Sequence, residues 1–290
     1  MNMLEWLVSP FADFSFMRRA LTGCVALSLG SSPLGVLLLL RRMSLMGDAM
    51  SHAILPGAAV GYLLFGLSLP AMTIGGIAAG LLVACLAGVV TRYTVLKEDA
   101  SFATFYLISL ALGVLIISLR GTSVDLLHVL FGTVLSLDNA TLFLAAGIAT
   151  LSLLLLALLY RPLIIQSFDP NFLITKGWWN ALAYGAFLLL LVLNLVGGFH
   201  TLGTLMAVAF MVLPAAAARF WAATVAKQML VAAATGVAAG YIGLLISYHF
   251  ATPASPAIVL TLGGIYIISM FLGLHSGLLI RPPKIQPGQT

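Results

Sequence analysis

Nine long runs of apolar residues follow one another along the chain, and they constrain its fold more than any other feature. Most are about 20 residues long, the length of an α-helix that crosses the hydrocarbon core of a membrane. None shows the alternating pattern of membrane β-barrel strands, and outside barrels only helices satisfy their backbone groups in a bilayer. The runs predict an all-α polytopic membrane protein with about eight or nine transmembrane helices, at residues 20–40, 49–69, 70–91, 102–119, 142–160, 181–196, 202–218, 228–249 and 258–279.

The composition of the 290-residue chain excludes several other classes of protein. Apolar residues make up 62% of it and charged residues only 7%, whereas soluble domains carry about 25% charged residues. A soluble enzyme, a disordered protein and a nucleic-acid-binding protein are therefore excluded. The two cysteines, Cys24 and Cys85, lie in apolar runs, so neither a disulfide framework nor a structural zinc cluster is expected.

The basic residues indicate how the helices are oriented in the membrane. If the first run crosses from outside to inside, ten of the 13 basic residues lie on the cytoplasmic side, which agrees with the positive-inside rule. This predicts nine spans, with the N-terminus outside and the C-terminus inside. The count would fall if runs 181–196 and 202–218 formed a single hairpin. The ten residues are Arg41, Arg42, Arg92, Lys97, Arg161, Lys176, Arg219, Lys227, Arg281 and Lys284.

We expect residues 1–290 to form a single transmembrane domain with three segments that are not simple spans. Residues 1–16 carry four aromatic residues with Glu5 and Asp13 among them, which is typical of an interfacial amphipathic segment. Residues 124–137 are apolar but too short to cross, and they predict a half-helix on the outer side. Residues 161–179 form the longest cytoplasmic connection. It either lies on lipid or docks into a groove of a cytoplasmic partner.

Asp48 and His52 are the most informative polar residues within the runs. They are four positions apart, so they lie about 40° from each other on a helix. Ionisable groups inside a membrane are functional candidates by default. A carboxylate and an imidazole form half of a site for zinc, manganese or iron. Pro56 and Gly57 follow one turn later and predict a kink beside the pair.

The pair also has a plainer interpretation, in which Asp48 forms an ion pair with Arg41, Arg42 or His52. Two ligands hold a metal ion weakly, so other helices, water or a second copy of the chain would have to complete the site. Weak binding suits a site through which an ion passes, because the ion must be released. Binding requires a neutral imidazole, so occupancy is expected to fall on acidification.

The remaining polar residues carry weaker signals. His128, His200 and His249 fall near the outer side, where they either line an entry path or are simply hydrated. The sequence contains no nucleotide-binding G-x-x-x-x-G-K-[ST] loop. Uphill transport would therefore need a partner that hydrolyses nucleotide, or an ion gradient with Asp48 as the proton carrier. An intramembrane hydrolase and an interaction scaffold are further alternatives.

Five stretches resemble one known family along nearly the whole chain. The most specific of them, with the string GDAMSHAILPG, resembles the signature of the permease subunits of bacterial metal-ion ABC transporters, which import zinc, manganese or iron. The others are similar to the family's outer half-helix, its coupling segment and its C-terminal motifs. In order, the stretches are RMSLMGDAMSHAILPG (42–57), VDLLHVLFGTVLSL (124–137), SFDPNFLITKG (167–177), LGTLMAVAFMVLPAAAAR (202–219) and GLLISYHFATPASPAIVL (243–260).

The resemblance implies a role for particular residues. It makes Asp48 and His52 the metal-contacting pair of the translocation path. It places Phe168, Asp169 and Pro170 in the helix that docks on the ATPase, and Phe172 lies in the same segment. The resemblance assigns no role to the histidine at position 200.

The resemblance also implies an assembly and a location. Two copies of the chain form a homodimer in the bacterial inner membrane, with cytoplasmic ATP-binding subunits and an extracytoplasmic metal-binding protein. The fold would be the importer fold of the cobalamin and siderophore permeases, and the chain itself would not be an enzyme. We expect no cofactor and no nucleic acid, because the divalent metal is cargo. Affinity order alone favours zinc over manganese, and we expect zinc as the cargo, with manganese as the next candidate.

Overall fold

A computed structural model describes residues 3–66, 68–119, 137–168, 178–275 and 277–279, and throughout this part of the chain the regular elements are α-helices. The helices follow the predicted apolar runs closely. They are α1 (Met3–Asp13), α2 (Ser15–Leu40), α3 (Met46–Ala53), α4 (Leu55–Phe65), α5 (Leu69–Tyr93), α6 (Glu98–Leu119), α7 (Asn139–Leu158), α8 (Tyr160–Phe168), α9 (Trp178–Leu202), α10 (Thr204–Trp221), α11 (Val225–Phe250) and α12 (Ala254–Leu272).

Eight of the described helices are long and apolar enough to cross a membrane, namely α2, α5, α6, α7, α9, α10, α11 and α12. They match eight of the nine predicted runs, which confirms the all-helical polytopic fold. Helices α9 and α10 are separate and have 25 and 18 residues, so runs 181–196 and 202–218 do not merge into one hairpin. The ninth run, 49–69, is divided between the short helices α3 and α4.

The division between α3 and α4 falls at Ile54, where the helix is interrupted. Pro56 lies in the first turn of α4. Proline has no N–H with which to continue the hydrogen-bond ladder, but this costs little in the first turn of a helix. The carbonyl oxygen of Ala53, the last residue of α3, accepts a hydrogen bond from Ser109 of α6 at 3.0 Å. A side chain on a neighbouring helix thus satisfies a polar group at the interruption, as a bilayer interior requires.

Helix α2 lies at the centre of the bundle and packs against α10, α11, α7 and α9. A Cβ atom added at Gly35 would overlap the carbonyl oxygen of Met211, so the backbones of α2 and α10 are in direct contact. Pro214 interrupts the hydrogen-bond ladder of α10 and leaves the Phe210 carbonyl without its usual donor. Ser32 of α2 donates to that carbonyl at 2.9 Å. These contacts hold α10 firmly beside α2.

Helix α1 lies within the segment predicted to be interfacial, and it packs against the end of α11. The Trp6 and His249 rings stack with centroids 4.1 Å apart, and Tyr241 donates a hydrogen bond to the Leu7 carbonyl at 3.0 Å. The predicted half-helix at 124–137 lies outside the described residues apart from its last position. The predicted coupling segment at 161–179 is described at 161–168, where α8 ends, and at 178–179, where α9 begins.

Candidate metal site

Asp48 and His52 lie on one face of α3, as their spacing predicts. The Oδ1 atom of Asp48 is 3.8 Å from the Nε2 atom of His52. The Asp48 side chain is 61% exposed and the His52 side chain 25% exposed. Both groups therefore reach open space at the surface of the single chain.

The depth of the pair follows from what the end of α3 contacts. Ser109, which donates to the Ala53 carbonyl, lies half-way along the spanning helix α6. His52 directly precedes Ala53, so its backbone lies about half-way between the two ends of the bundle. Asp48 lies one turn away, about 6 Å along the helix axis at 1.5 Å per residue. The pair therefore lies well inside the span and not at its end.

A groove of about 450 Å³ opens beside the pair. Helix α3 and the connection before it form one wall, and the first half of α10 forms the other. Most of the lining is aliphatic, which lowers the local dielectric and strengthens the attraction between a carboxylate and a cation. The lining residues are Ser44, Leu45, Asp48, Ser51, His52, Thr204, Leu205, Val208, Ala209, Val212 and Leu213.

The polar atoms of the pair have few partners within the chain. Ser51 donates to the backbone carbonyl of Asp48 at 2.7 Å and not to its carboxylate. The Nδ1 atom of His52 is buried and has no hydrogen-bond partner among the described residues, although the Tyr106 ring lies 6.2 Å from the imidazole ring. Buried polar atoms are nearly always paired, so this nitrogen is an exception, whereas the Asp48 carboxylate is open to the groove.

The alternative in which Arg41 neutralises Asp48 is not what the structure shows. Arg41 instead donates to Gln166 at 2.7 Å and to Ser167 at 3.2 Å. Over the whole described part of the chain, the pair between Asp48 and His52 is the only contact of 4 Å or less between oppositely ionisable side chains. The same residues contain no cluster of three or more His, Cys, Asp or Glu side chains suited to a metal ion. Within the described ranges, one copy of the chain thus offers two metal donors at the groove.

The predicted ATPase-coupling residues are described only in part. Phe168 is exposed at the end of α8 and lines a second cavity of about 340 Å³ between the ends of α2 and α10. Asp169, Pro170 and Phe172 lie outside the described residues. The other residues that line this cavity are Leu39, Leu40, Arg42, Ser167 and Arg219.

The remaining histidines are not brought to the groove in the part of the chain that the structure describes. His249 is 3.1 Å from the Trp6 carbonyl through its Nε2 atom and stacks on the Trp6 ring. His200 lies near the end of α9, and its Nε2 atom is buried without a described hydrogen-bond partner. His128 lies outside the described residues.

Sequence reasoning missed the second wall of the groove. Thr204, Val208 and Val212 of α10 face Asp48 across it, but none carries a chemistry that singles it out. The only available signal was the stretch LGTLMAVAFMVLPAAAAR (202–219), which resembles a family motif without indicating which face matters. The spacing of apolar residues along a helix does not show which other helix packs against a given face.

Spanning helices, an interrupted helix carrying a carboxylate and an imidazole, and a groove at mid-depth define a multi-pass transport permease. A model of the ABC 3 transport family matches residues 13–273, and the chain belongs to this family. It is therefore a membrane subunit of an ABC transporter and not itself an enzyme, and its transport depends on ATP-binding and substrate-binding partners.

Relatives along the full length agree with this assignment. The chain is 32% identical to the manganese import system permease protein ScaB of Streptococcus gordonii, over 97% of this chain and 100% of that protein. It is 29% identical to a probable iron transport system membrane protein of Haemophilus influenzae, over 92% of this chain and 97% of that protein. The solved structure of PsaBC from Streptococcus pneumoniae in complex with Fab matches with a TM-score of 0.83, at 32% identity over 94% of this chain and 97% of that one.

Proposed function

We propose that the chain imports a divalent transition metal, and that Asp48 and His52 contact the ion as it passes. The observation that supports this is the position of the pair: a carboxylate and an imidazole, 3.8 Å apart, line one groove about half-way along the bundle. Relatives named for manganese and iron transport support a metal as cargo. The metal is transported and is not a resident cofactor.

We further propose that two copies of the chain form the path as a homodimer. Two donors from one chain hold a metal ion weakly, whereas a two-fold axis along the groove would supply two carboxylates and two imidazoles. The groove is open on the side away from the bundle, and Leu45 on its rim is 73% exposed. A partner that covers this side would bury the aliphatic lining and enclose the ion.

Manganese is the metal that we propose. The sequence favours zinc on affinity order alone. High affinity is a poor guide to the cargo of a site that must release its ion. The open carboxylate of Asp48 suits manganese, which prefers oxygen donors, and ScaB, which is similar along its whole length, is named for manganese import. The substrate-binding protein outside the membrane would contribute to the choice of metal.

The orientation proposed is N-terminus outside and C-terminus inside, in the inner membrane of a bacterium. Eight helices of the described part of the chain are long enough to cross, and we propose that α3 and α4 together make the ninth crossing. Arg41, Arg42, Arg161 and Arg219 gather at the end of the bundle where α8 lies, as the positive-inside rule requires of a cytoplasmic face. Phe168 and the residues after it would contact the ATPase there.

Uptake of radioactive manganese by a deletion strain that expresses the chain with its partners tests this function. We expect saturable uptake that competing manganese suppresses more strongly than equal iron or zinc. The conservative double variant Asp48→Asn with His52→Gln should lose it while the assembled transporter is still recovered from the membrane. Normal uptake by that variant would refute the metal site, and stronger competition by zinc would refute manganese as the cargo.

A proton-driven secondary transporter with Asp48 as the proton carrier makes a different prediction. It needs no ATPase, so uptake would survive an inactivating substitution in the partner's nucleotide-binding loop and collapse with the proton gradient. We expect the reverse, because the chain belongs to an ABC transport family.

Cysteine cross-linking between the rims of two grooves, through Leu45→Cys, tests the homodimer.

A further inference from the structure

A half-buried arginine lies at the junction between the metal-site helix and α8, the helix that ends at the predicted coupling residue Phe168. Arg41 directly follows α2 and begins the five-residue connection to α3. Its Nη2 atom donates to the side-chain oxygen of Gln166 at 2.7 Å, and its Nε atom donates to the Ser167 hydroxyl at 3.2 Å. Its guanidinium carbon lies 3.9 Å from the centre of the Phe187 ring. One side chain thus contacts α8 and α9 while its backbone joins α2 to α3.

The hydrogen bonds continue beyond Arg41 into α9. Gln166 is buried, and its amide nitrogen donates to both the backbone and the side-chain oxygen of Asn180, at 3.1 and 2.9 Å. Gln166 therefore uses its oxygen for Arg41 and its nitrogen for α9. Gln166 and Ser167 immediately precede Phe168, the last residue of α8, so the cluster is adjacent to the predicted ATPase-facing segment.

Arg41 keeps its positive charge although it is partly buried. Burial lowers the pKa of Arg41 to about 10, while the negative charge of Glu98 acts in the opposite direction. The side chain therefore stays protonated at neutral pH. Glu98 accepts a hydrogen bond from Tyr184 of α9 at 2.6 Å. Buried cations are rare unless they are paired, and an apolar residue would fill the space without the cost of desolvation.

The connection from Arg41 to α3 is short and hydrogen-bonded. The Met43 N–H donates to the Leu38 carbonyl at 3.0 Å, and the Met46 N–H donates to the Met43 carbonyl at 3.0 Å. Both methionine side chains are buried. Since this connection has little slack, a displacement of Arg41 would move the start of α3, which carries Asp48.

We propose that Arg41 is a positioning residue that links α8, on the ATPase side, to α3, on the metal side. The proposal rests on the proposed function. When the ATPase moves the end of α8, Gln166 and Ser167 pull on the guanidinium group, and the stiff connection passes the movement to Asp48 and His52. Arginine suits this link better than lysine, because its planar group donates in two directions and stacks on Phe187 at once.

The test measures movement at α3 without requiring metal. The full-length permease, assembled with its ATPase subunits in proteoliposomes, carries Ser44→Cys as a label site in the groove and Cys85→Ser to remove the exposed native thiol. The rate of maleimide labelling at position 44 is compared with and without ATP and vanadate. The variants are Arg41→Met, Arg41→Lys and Gln166→Leu. Arg161→Met is the matched control, because Arg161 lies exposed on the same helix α8.

We expect nucleotide to change the labelling rate about tenfold in the parent complex and less than about twofold with Arg41→Met, a difference in the usual range of coupling energies. Arg41→Lys and Gln166→Leu should fall between these values. The double variant Arg41→Met with Gln166→Leu should show the same nucleotide response as Arg41→Met alone, because both substitutions break the same hydrogen bond. The control should behave like the parent.

Two results would overturn the link: a full nucleotide response in Arg41→Met complexes, or no response at position 44 in the parent. A lower yield of complex with a normal response per complex also counts against it, because that is the signature of a merely structural residue. The metal site is judged separately by manganese binding in equilibrium dialysis. Asp48→Asn with His52→Gln should weaken binding, and Arg41→Met should not.

Discussion

The molecule contains two polar clusters only a few residues apart in sequence, and they differ in how far they are satisfied. The cluster around Arg41 has hydrogen bonds of 2.6 to 3.2 Å between side chains from four parts of the chain. The pair in the groove, Asp48 and His52, has one contact of 3.8 Å and a buried nitrogen without a described partner. Both clusters lie in an otherwise apolar bundle.

The difference suggests that the two clusters have different roles. A buried polar group that is fully paired stabilises one arrangement of the helices around it. An exposed carboxylate that bonds little within the chain does not fix the helices around it and remains available to contact an ion. The groove pair is therefore held in place by the packing of α3 and α4, whereas the Arg41 cluster is held by its own hydrogen bonds.

The largest expected effect comes from removing both groups of the groove pair. Asp48→Ala with His52→Ala should lower metal uptake by at least about a hundredfold, because losing even an outer partner of a metal costs about 10- to 100-fold. The fold should be unaffected, since the two side chains bond little else. Uptake and the yield of assembled transporter are both measured.

The matched control removes an acid and an imidazole elsewhere. Asp99 and His275 are both exposed outside the groove, and Asp99→Ala with His275→Ala should transport normally. If the groove variant lost its assembly along with its uptake, the pair would be structural, and the contrast with the Arg41 cluster would disappear.

A second prediction tests whether packing positions the groove pair. A Cβ atom at Gly75 would overlap the Gly57 carbonyl oxygen where α5 meets α4, so Gly75→Ala must push the two helices apart. We expect a loss of about 1 to 3 kcal/mol in stability, the usual range for overpacking, together with reduced uptake. Gly88→Ala on the same helix is the control, because its nearest neighbour, Tyr184, would be 3.8 Å away. Equal melting temperatures for the two purified variants would contradict this account.

Much of this arrangement was predictable from the sequence, and the part that was not has a clear cause. Hydropathy runs indicate the spanning helices because each helix satisfies its own backbone. The spacing of Asp48 and His52 indicates their shared face because it is local to one helix. Gln166 and Glu98, by contrast, meet the ends of α2 and α9 through long-range packing, which no local periodicity encodes. The opposite wall of the groove was missed for the same reason.

The third prediction concerns the cluster around Arg41. Tyr184→Phe removes the hydroxyl that donates to Glu98 at 2.6 Å and should cost about 1 kcal/mol of stability, as expected for a hydrogen bond to a partly screened charge. Metal binding should not change. Tyr248→Phe, at an exposed tyrosine of α11, should leave the melting temperature of the purified protein unaltered. A Tyr184→Phe variant as stable as the parent would show that hydrogen bonds stabilise this cluster no more than they stabilise the groove pair.

The smallest effect is expected at Ser51, which lies between the two members of the groove pair. Its hydroxyl donates to the Asp48 backbone carbonyl at 2.7 Å, a local bond within the helix that contributes little to stability. Ser51→Ala should therefore change stability by less than about 0.5 kcal/mol, and uptake should stay within about twofold of the parent. Ser51→Thr, which keeps the hydroxyl, serves as the companion variant. Should Ser51→Ala abolish uptake while Ser51→Thr preserves it, the hydroxyl would be a third metal ligand, and the groove would hold its ion more tightly than a two-donor site allows.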